Sequence, residues 1–123
     1  MNKHFNMNLN HENIAIVTFV NKNLEMNVLE KEALIELSDL LDDFSGNGEI
    51  KGVVFISGRD EQFIVGAKIE EIAAFTNATD ATEGATQMQQ IFQKIADLKC
   101  PTVAAIHGPC LGGGLEMSLA CNW

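Results

Sequence analysis

Two short segments of the chain combine glycine, other small residues and a potential acid or base. The first reads Phe-Ile-Val-Gly-Ala-Lys over residues 63–68, and the second runs from Ile106 to Glu116 with three successive glycines at 112–114. Glycines at the start of a helix let the backbone approach a ligand, and the unpaired N–H groups there favour negative charge. Glu116 would lie in the first turn of that helix, where a carboxylate could act as acid or base. The spacing is equally compatible with a tight strand-to-helix turn that Glu116 only caps.

Three other ligand-binding patterns fail when their spacing is tested. A dinucleotide-binding Gly-x-Gly-x-x-Gly fingerprint that starts at Gly112 would need its last glycine at Met117. No glycine precedes the Lys-Ser/Thr pair of a phosphate-binding P-loop. The pair His11-Glu12 could open a zinc-protease motif, but Ala15 occupies the second histidine position. The sequence therefore predicts neither these nucleotide sites nor a metal site.

Composition restricts the class of protein. A chain of 123 residues that is 46% hydrophobic and 20% charged is typical of one globular domain or part of one. Seventeen acidic and eight basic residues give a net charge of -9, which disfavours nucleic acid as a partner. No apolar run approaches the ~20 residues of a membrane span, and the N-terminal segment lacks the order of a signal peptide. Three cysteines without C-x-x-C spacing favour the reducing cytoplasm.

Hydrophobic periodicity predicts the elements that must position the two segments. Asn27, with Glu30 three residues later, is predicted to cap the first helix, and Gly46 is predicted to end it. Alternation of strands and helices predicts an α/β fold with a largely parallel sheet. The predicted order is a hairpin over 5–9 and 14–20, the capped helix, a buried strand over 52–58, a short helix over 69–75, a mobile loop over 76–82, a helix over 88–98, a strand over 102–106, a glycine-rich turn over 107–114 and a helix over 115–121.

The string IHGPCLGGGLEMSLACN resembles the signature of the crotonase (enoyl-CoA hydratase/isomerase) superfamily, and FIVGAKIEEI resembles the first oxyanion-hole segment of that family. The resemblance runs along the whole chain. Within the family it is strongest to the N-terminal hydratase region of multifunctional fatty-acid oxidation alpha subunits. It implies an α/β crotonase-like fold, a spiral of ββα units, of which residues 1–123 would be the N-terminal half of a single truncated domain.

The resemblance also implies a role for each matching residue. Family members bind an acyl-CoA thioester, whose carbonyl oxygen would accept hydrogen bonds from the backbone N–H groups of Ala67 and Gly113. Glu116 would match the first of two catalytic glutamates that hold and activate water in the hydratases. No metal or cofactor is implied for this region, and NAD only if a dehydrogenase domain follows. The remaining substrate-binding positions would be Gly66, Lys68, Gly112 and Gly114.

The chain departs from the family pattern in two ways. The second catalytic glutamate of the family would lie beyond the last residue of the chain, which ends seven residues after Glu116. Lys68 stands where the family usually has aspartate, and it places a cation near a helix N-terminus. We therefore expect the isolated chain to be inactive as a hydratase and prone to associate.

The resemblance implies an intact cytoplasmic protein that hydrates 2-enoyl-CoA in fatty-acid β-oxidation. Such a protein would act as a homo-oligomer or within a fatty-acid oxidation complex. Two alternatives remain open. One is another crotonase reaction, double-bond isomerisation or thioester hydrolysis, that uses the same oxyanion hole. The other is a non-catalytic remnant of the fold.

Overall fold

The computed structural model describes residues 3–66 and 78–123. The regular elements in these ranges alternate between strand and helix after an initial hairpin, as predicted. No helix in them is long and apolar enough to cross a membrane. In chain order the elements are β1 (Phe5–Leu9), β2 (Ile14–Phe19), α1 (Lys31–Ser45), β3 (Gly52–Ser57), α2 (Ala78–Ala96), β4 (Thr102–Ala105) and α3 (Gly113–Leu119).

The strands form one sheet in the order β1-β2-β3-β4. β1 pairs antiparallel with β2 and places Met7 opposite Val17, which confirms the hairpin. β2, β3 and β4 are parallel neighbours, which confirms the predicted parallel arrangement. After α3 the chain returns to the free edge of β4. There the N–H of Trp123 donates to the Thr102 carbonyl at 3.1 Å, and the N–H of Ala104 donates to the Trp123 carbonyl at 2.8 Å.

The hydrophobic core reaches from the sheet and helices into both glycine-containing segments. α1 turns its predicted apolar face inward, because residues three and four apart lie on one side of a helix. Phe63 and Ile64 of the first segment and Met117 of α3 are as deeply buried as the strand residues. The first segment and the helix that follows the second are therefore packed into the core. The buried apolar residues of α1 are Ala33, Leu37, Leu41 and Phe44.

The predicted cap of the first helix is wrong. α1 begins at Lys31, its N-cap position is Glu30, and the side chain of Glu30 makes no capping hydrogen bond. Asn27 cannot act as a cap because its carboxamide is buried and hydrogen-bonded to other parts of the chain, including the Ser57 hydroxyl. The end of the helix is confirmed, since the N–H of Gly46 donates to carbonyl oxygens of the last turn.

The loop predicted over residues 76–82 is wrong where the structure describes it, because α2 begins at Ala78. A segment without apolar residues can still be helical when it continues into a helix that packs on the core. The reason is that extending an existing helix is easier than nucleating a new one. Phe92 and Ile95 supply that packing from the buried face of α2. The short helix predicted over 69–75, together with residues 76 and 77, lies outside the described residues.

Candidate functional site

The two glycine-containing segments lie side by side, as their positions after parallel strands require. The first follows the carboxyl end of β3 and the second follows the carboxyl end of β4. The N–H of Phe63 donates to the Pro109 carbonyl at 3.1 Å, and the N–H of Leu111 donates to the Ile64 carbonyl at 3.0 Å. These two backbone hydrogen bonds fix the register between the segments.

Glycine is required where the segments approach most closely. A Cβ atom added to Gly112 would lie 3.4 Å from the Cα of Gly66, and Gly112 itself has a positive φ of 53°. A Cβ atom added to Gly114 would overlap the backbone carbonyl of Ile64. The start of α3 therefore rests directly on residues 64–66, with no side chain between the two backbones.

This contact brings the predicted donor Gly113 to a position where its N–H can meet a ligand. Gly113 is buried and is the first residue of α3, so its N–H has no acceptor within the helix. The neighbouring N–H groups are used differently, since Gly114 donates to Leu111 and Glu116 donates to Gly112, both at 3.0 Å. Among the residues that the structure describes, none accepts a hydrogen bond from the N–H of Gly113. A free donor at a helix N-terminus is suited to an oxygen that carries negative charge.

Glu116 lies three residues after Gly113, on the first turn of α3, and is exposed. Residues three apart share a face of a helix, so its carboxylate projects from the same side as the Gly113 position. Within the described ranges no hydrogen bond or ion pair occupies this carboxylate. The geometry therefore leaves it available as an acid or base.

The predictions for Ala67 and Lys68 lie outside the described residues. The preceding residue, Gly66, is described: its φ is 135°, and its carbonyl accepts a hydrogen bond from the N–H of Leu29 at 2.8 Å. The structure therefore places Gly66 against the segment that contains Gly112 and Gly114, with Gly113 and Glu116 in the first turn of α3.

Two thiols near these elements, those of Cys100 and Cys121, are poor candidates for a nucleophile. Burial raises the pKa of Cys121 to about 11, although a hydrogen bond with the side chain of Thr102 opposes the shift. Burial also raises the pKa of Cys100. A thiol that stays protonated near neutral pH is a weak nucleophile. No cluster of three or more His, Cys, Asp or Glu residues within 3–66 and 78–123 could hold a metal ion.

A polar network that contacts the first segment was not predicted from the sequence. Arg59 donates from its guanidinium to the carbonyls of Asn21 and Leu24, and its own carbonyl lies 2.7 Å from Nε2 of His107. Asn27 lies at the centre of this network and contacts the first segment directly. The available signal was the turn-prone sequence NKNLEMN, whose asparagines can bond to the backbone as well as cap a helix.

Comparison with known proteins gives consistent matches along the chain. The sequence profile of the enoyl-CoA hydratase/isomerase family matches residues 10–123. The chain is 39% identical over 121 residues to the fatty acid oxidation complex subunit alpha of Vibrio parahaemolyticus. It is 41% identical over 122 residues to the corresponding subunit of Shewanella halifaxensis. These alignments cover 98% and 99% of the chain, which spans 17% of the length of each relative.

Solved structures share the fold. An enoyl-CoA hydratase/carnithine racemase from Magnetospirillum magneticum superposes with a TM-score of 0.84 at 28% identity, over 97% of this chain and 46% of that one. An enoyl-CoA hydratase from Bacillus anthracis superposes with a TM-score of 0.88 at 23% identity, over 98% of this chain and 46% of that one. The predicted α/β crotonase fold is confirmed, and the chain covers about half of the length of these solved chains.

The contact between Gly114 and Ile64 predicts an unusual response to alanine. Gly114→Ala should lower the free energy of unfolding by about 1–3 kcal/mol because the added methyl overlaps backbone. Glycine to alanine inside a helix would otherwise stabilise by about 1 kcal/mol. Gly48→Ala is the control, since nothing lies within 4 Å of its Cβ position, and it should change stability by less than about 0.5 kcal/mol. Urea unfolding checks both, and a Gly114→Ala protein as stable as wild type would contradict the described contact.

The raised pKa of Cys121 predicts slow alkylation in the folded chain. With iodoacetamide, Cys121 should react more slowly than in urea until the pH approaches 11, as followed by peptide mass spectrometry. The folded thiol keeps its proton where the unfolded thiol, with an ordinary pKa of 9.0, loses it. Stability should therefore fall as the pH rises from 9.0 towards 11. Equal rates in the folded and unfolded chain near neutral pH would contradict the assigned burial.

Proposed function

The chain belongs to the enoyl-CoA hydratase/isomerase family, and from this premise we propose that it forms the N-terminal part of a domain that adds water to 2-enoyl-CoA thioesters. One observation carries the proposal. The buried N–H of Gly113 is unpaired within the described residues, beside the segment that ends at Gly66, with Glu116 one helical turn away.

The proposed reaction uses the thioester carbonyl as an electron sink. As the water oxygen bonds to the β-carbon, the electrons of the double bond move towards the carbonyl oxygen and give an enolate. The N–H groups of Gly113 and, by resemblance, Ala67 would donate to that oxygen. Loss of one such donor costs roughly 3–4 kcal/mol of barrier in other enzymes, so this pair would supply much of the catalysis.

Glu116 is proposed to hold the water and take its proton as the new C–O bond forms. The enolate then receives a proton at its α-carbon, and in the family a second glutamate shares this acid-base work. That glutamate would lie in the part of the domain that follows residue 123, which is consistent with the chain covering 46% of the solved relatives. In this proposal the full-length protein acts in the cytoplasm, as a homo-oligomer or in a fatty-acid oxidation complex, without a metal or cofactor in this region. NAD would be required only by a following dehydrogenase domain.

Replacing Glu116 tests the assigned role in the full-length gene product that contains this chain. Glu116→Gln should lower the rate of crotonyl-CoA hydration by about 10²–10⁴-fold, because the amide cannot accept the proton from water. The affinity for the acyl-CoA should stay within a few-fold of wild type, because the backbone donors remain. Glu49→Gln, an exposed glutamate in the turn before β3, is the matched control and should leave the rate unchanged.

Unchanged turnover in Glu116→Gln would remove Glu116 from the mechanism. The same preparation also separates the alternatives. A wild-type protein that isomerises a 3-enoyl-CoA or hydrolyses the thioester without hydrating crotonyl-CoA would assign the other crotonase reaction. Binding without any turnover would favour the non-catalytic remnant.

The 123-residue chain by itself should not hydrate crotonyl-CoA, because it supplies only one of the two glutamates. It should also self-associate, because large apolar side chains are exposed on and around α3, with Leu119 at 76% and Trp123 at 83% exposure. Size-exclusion chromatography at increasing concentration and a crotonyl-CoA assay check both expectations. Turnover by the purified chain would contradict the first, and a concentration-independent monomer would contradict the second. The other exposed apolar residues of this surface are Ile106, Leu111 and Leu115.

A further inference from the structure

The buried carboxamide of Asn27 joins three parts of the fold through its donor nitrogen. Asn27 is 0% exposed. Its Nδ2 donates to the carbonyl of Phe19 at 3.2 Å, to the Ser57 hydroxyl at 2.7 Å and to the carbonyl of Phe63 at 2.9 Å. Phe19 and Ser57 are the last residues of β2 and β3, whereas Phe63 belongs to the first glycine-containing segment. The amide group therefore ties that segment to the carboxyl ends of two central strands.

The oxygen of the same carboxamide is also fully used. Its Oδ1 accepts from the N–H of Asn21 at 3.0 Å and from Nε of Arg59 at 3.1 Å. A carboxamide offers two donor hydrogens and one oxygen with two lone pairs. Three acceptors lie within hydrogen-bond distance of Nδ2, so two of them share one hydrogen, and both lone pairs of Oδ1 are used. Such a network fixes the rotamer of the side chain, because any other orientation would leave buried polar groups unpaired.

The backbone around Asn27 continues the contact with the first segment. The Asn27 carbonyl accepts from the N–H of Val65 at 2.9 Å, and the N–H of Leu29 donates to the Gly66 carbonyl at 2.8 Å. Together with the bond to Phe63, these contacts hold residues 63, 65 and 66 against residues 27–29. Ile64 and Gly66 of the same segment also meet the start of α3.

Residues 64–66 are the point at which this support reaches the proposed chemistry. The start of α3 rests on them, because Gly112 approaches Gly66 and Gly114 approaches the Ile64 carbonyl without an intervening side chain. A shift of residues 63–66 would therefore move the start of α3 and the N–H of Gly113 with it. We propose that Asn27 is a positioning residue that sets the position of the oxyanion donor Gly113, through residues 63–66. This inference rests on the hydratase function proposed above.

The first test measures kinetics in the full-length protein. Asn27→Ala removes every bond of the carboxamide, and Asn27→Asp keeps the oxygen that Arg59 contacts but loses the donor that reaches Phe63. Both should lower kcat for crotonyl-CoA hydration by about 100-fold, the loss expected when a catalytic group is misplaced by about 1 Å. KM should change by only a few-fold, because the oxyanion donors act mainly on the transition state.

Two control variants separate positioning from general damage. Asn47→Ala removes an exposed asparagine of the turn after α1, whose Oδ1 accepts from the N–H of Glu49, and should match wild type in kcat with at most a small decrease in Tm. Leu41→Ala removes a buried side chain of α1 away from the segments, so it should lower Tm without lowering kcat of the folded protein. If Asn27 served only stability, its variants would behave like Leu41→Ala when assayed below their Tm.

The second test does not depend on activity. Amide hydrogen exchange in the same proteins should be about tenfold or more faster at Leu29 and Val65 in Asn27→Ala, with exchange at Val53 in β3 unchanged. Wild-type kcat in both Asn27 variants, or unchanged exchange at Leu29 and Val65, would overturn the proposal. If the wild-type protein shows no hydration, the proposed function fails. Exchange alone then decides whether Asn27 holds the segment.

Discussion

Two backbone hydrogen bonds, Phe63 to Pro109 and Leu111 to Ile64, hold the segments after β3 and β4 against each other. The parallel pairing of these strands delivers both segments to one edge of the sheet. Phe63 and Ile64 anchor the first segment in the core, and Met117 anchors the helix that follows the second. Only a glycine at position 114 permits the resulting backbone contact. The position of Gly113, whose N–H has no acceptor in the described part of the chain, and that of Glu116 both follow from this contact, because they belong to the helix that begins there.

A site built from backbone donors, as in the proposed function, would allow the sequence to diverge while the fold persists. The Magnetospirillum structure shares the fold at 28% identity and the Bacillus structure at 23%. A main-chain N–H is supplied by almost any residue, so the constraint falls on backbone geometry and on the few positions where a side chain would intervene. In this chain those positions are Gly112 and Gly114, where the two segments contact each other. Asn27 is a further constrained position, because its side chain bonds to the Phe63 carbonyl.

Hydrophobic periodicity predicted the hairpin and the parallel sheet, and the resemblance to the crotonase family implied that the two glycine-containing segments meet. The sequence did not predict the role of Asn27, since an asparagine before a helix has the same local pattern whether it caps that helix or bonds to residues distant in sequence. The start of α2 at Ala78 was not predicted either. There the helix extends from turns that pack on the core, although the extending residues do not show an apolar pattern. The contact of Gly114 with Ile64 joins two backbone segments that are about fifty residues apart in the sequence. The local sequence pattern does not show how closely such segments approach.

In the proposed function, the N–H groups where the two glycine-containing segments meet polarise a thioester carbonyl. Infrared difference spectroscopy of the full-length protein with butyryl-CoA, labelled with carbon-13 at its carbonyl, measures this directly, since the saturated thioester binds without being hydrated. Donation from Gly113 and its partner N–H should weaken the carbonyl bond and shift its stretching band to lower frequency than in free butyryl-CoA. A bound thioester whose band stays at the frequency of the free ligand would contradict the account.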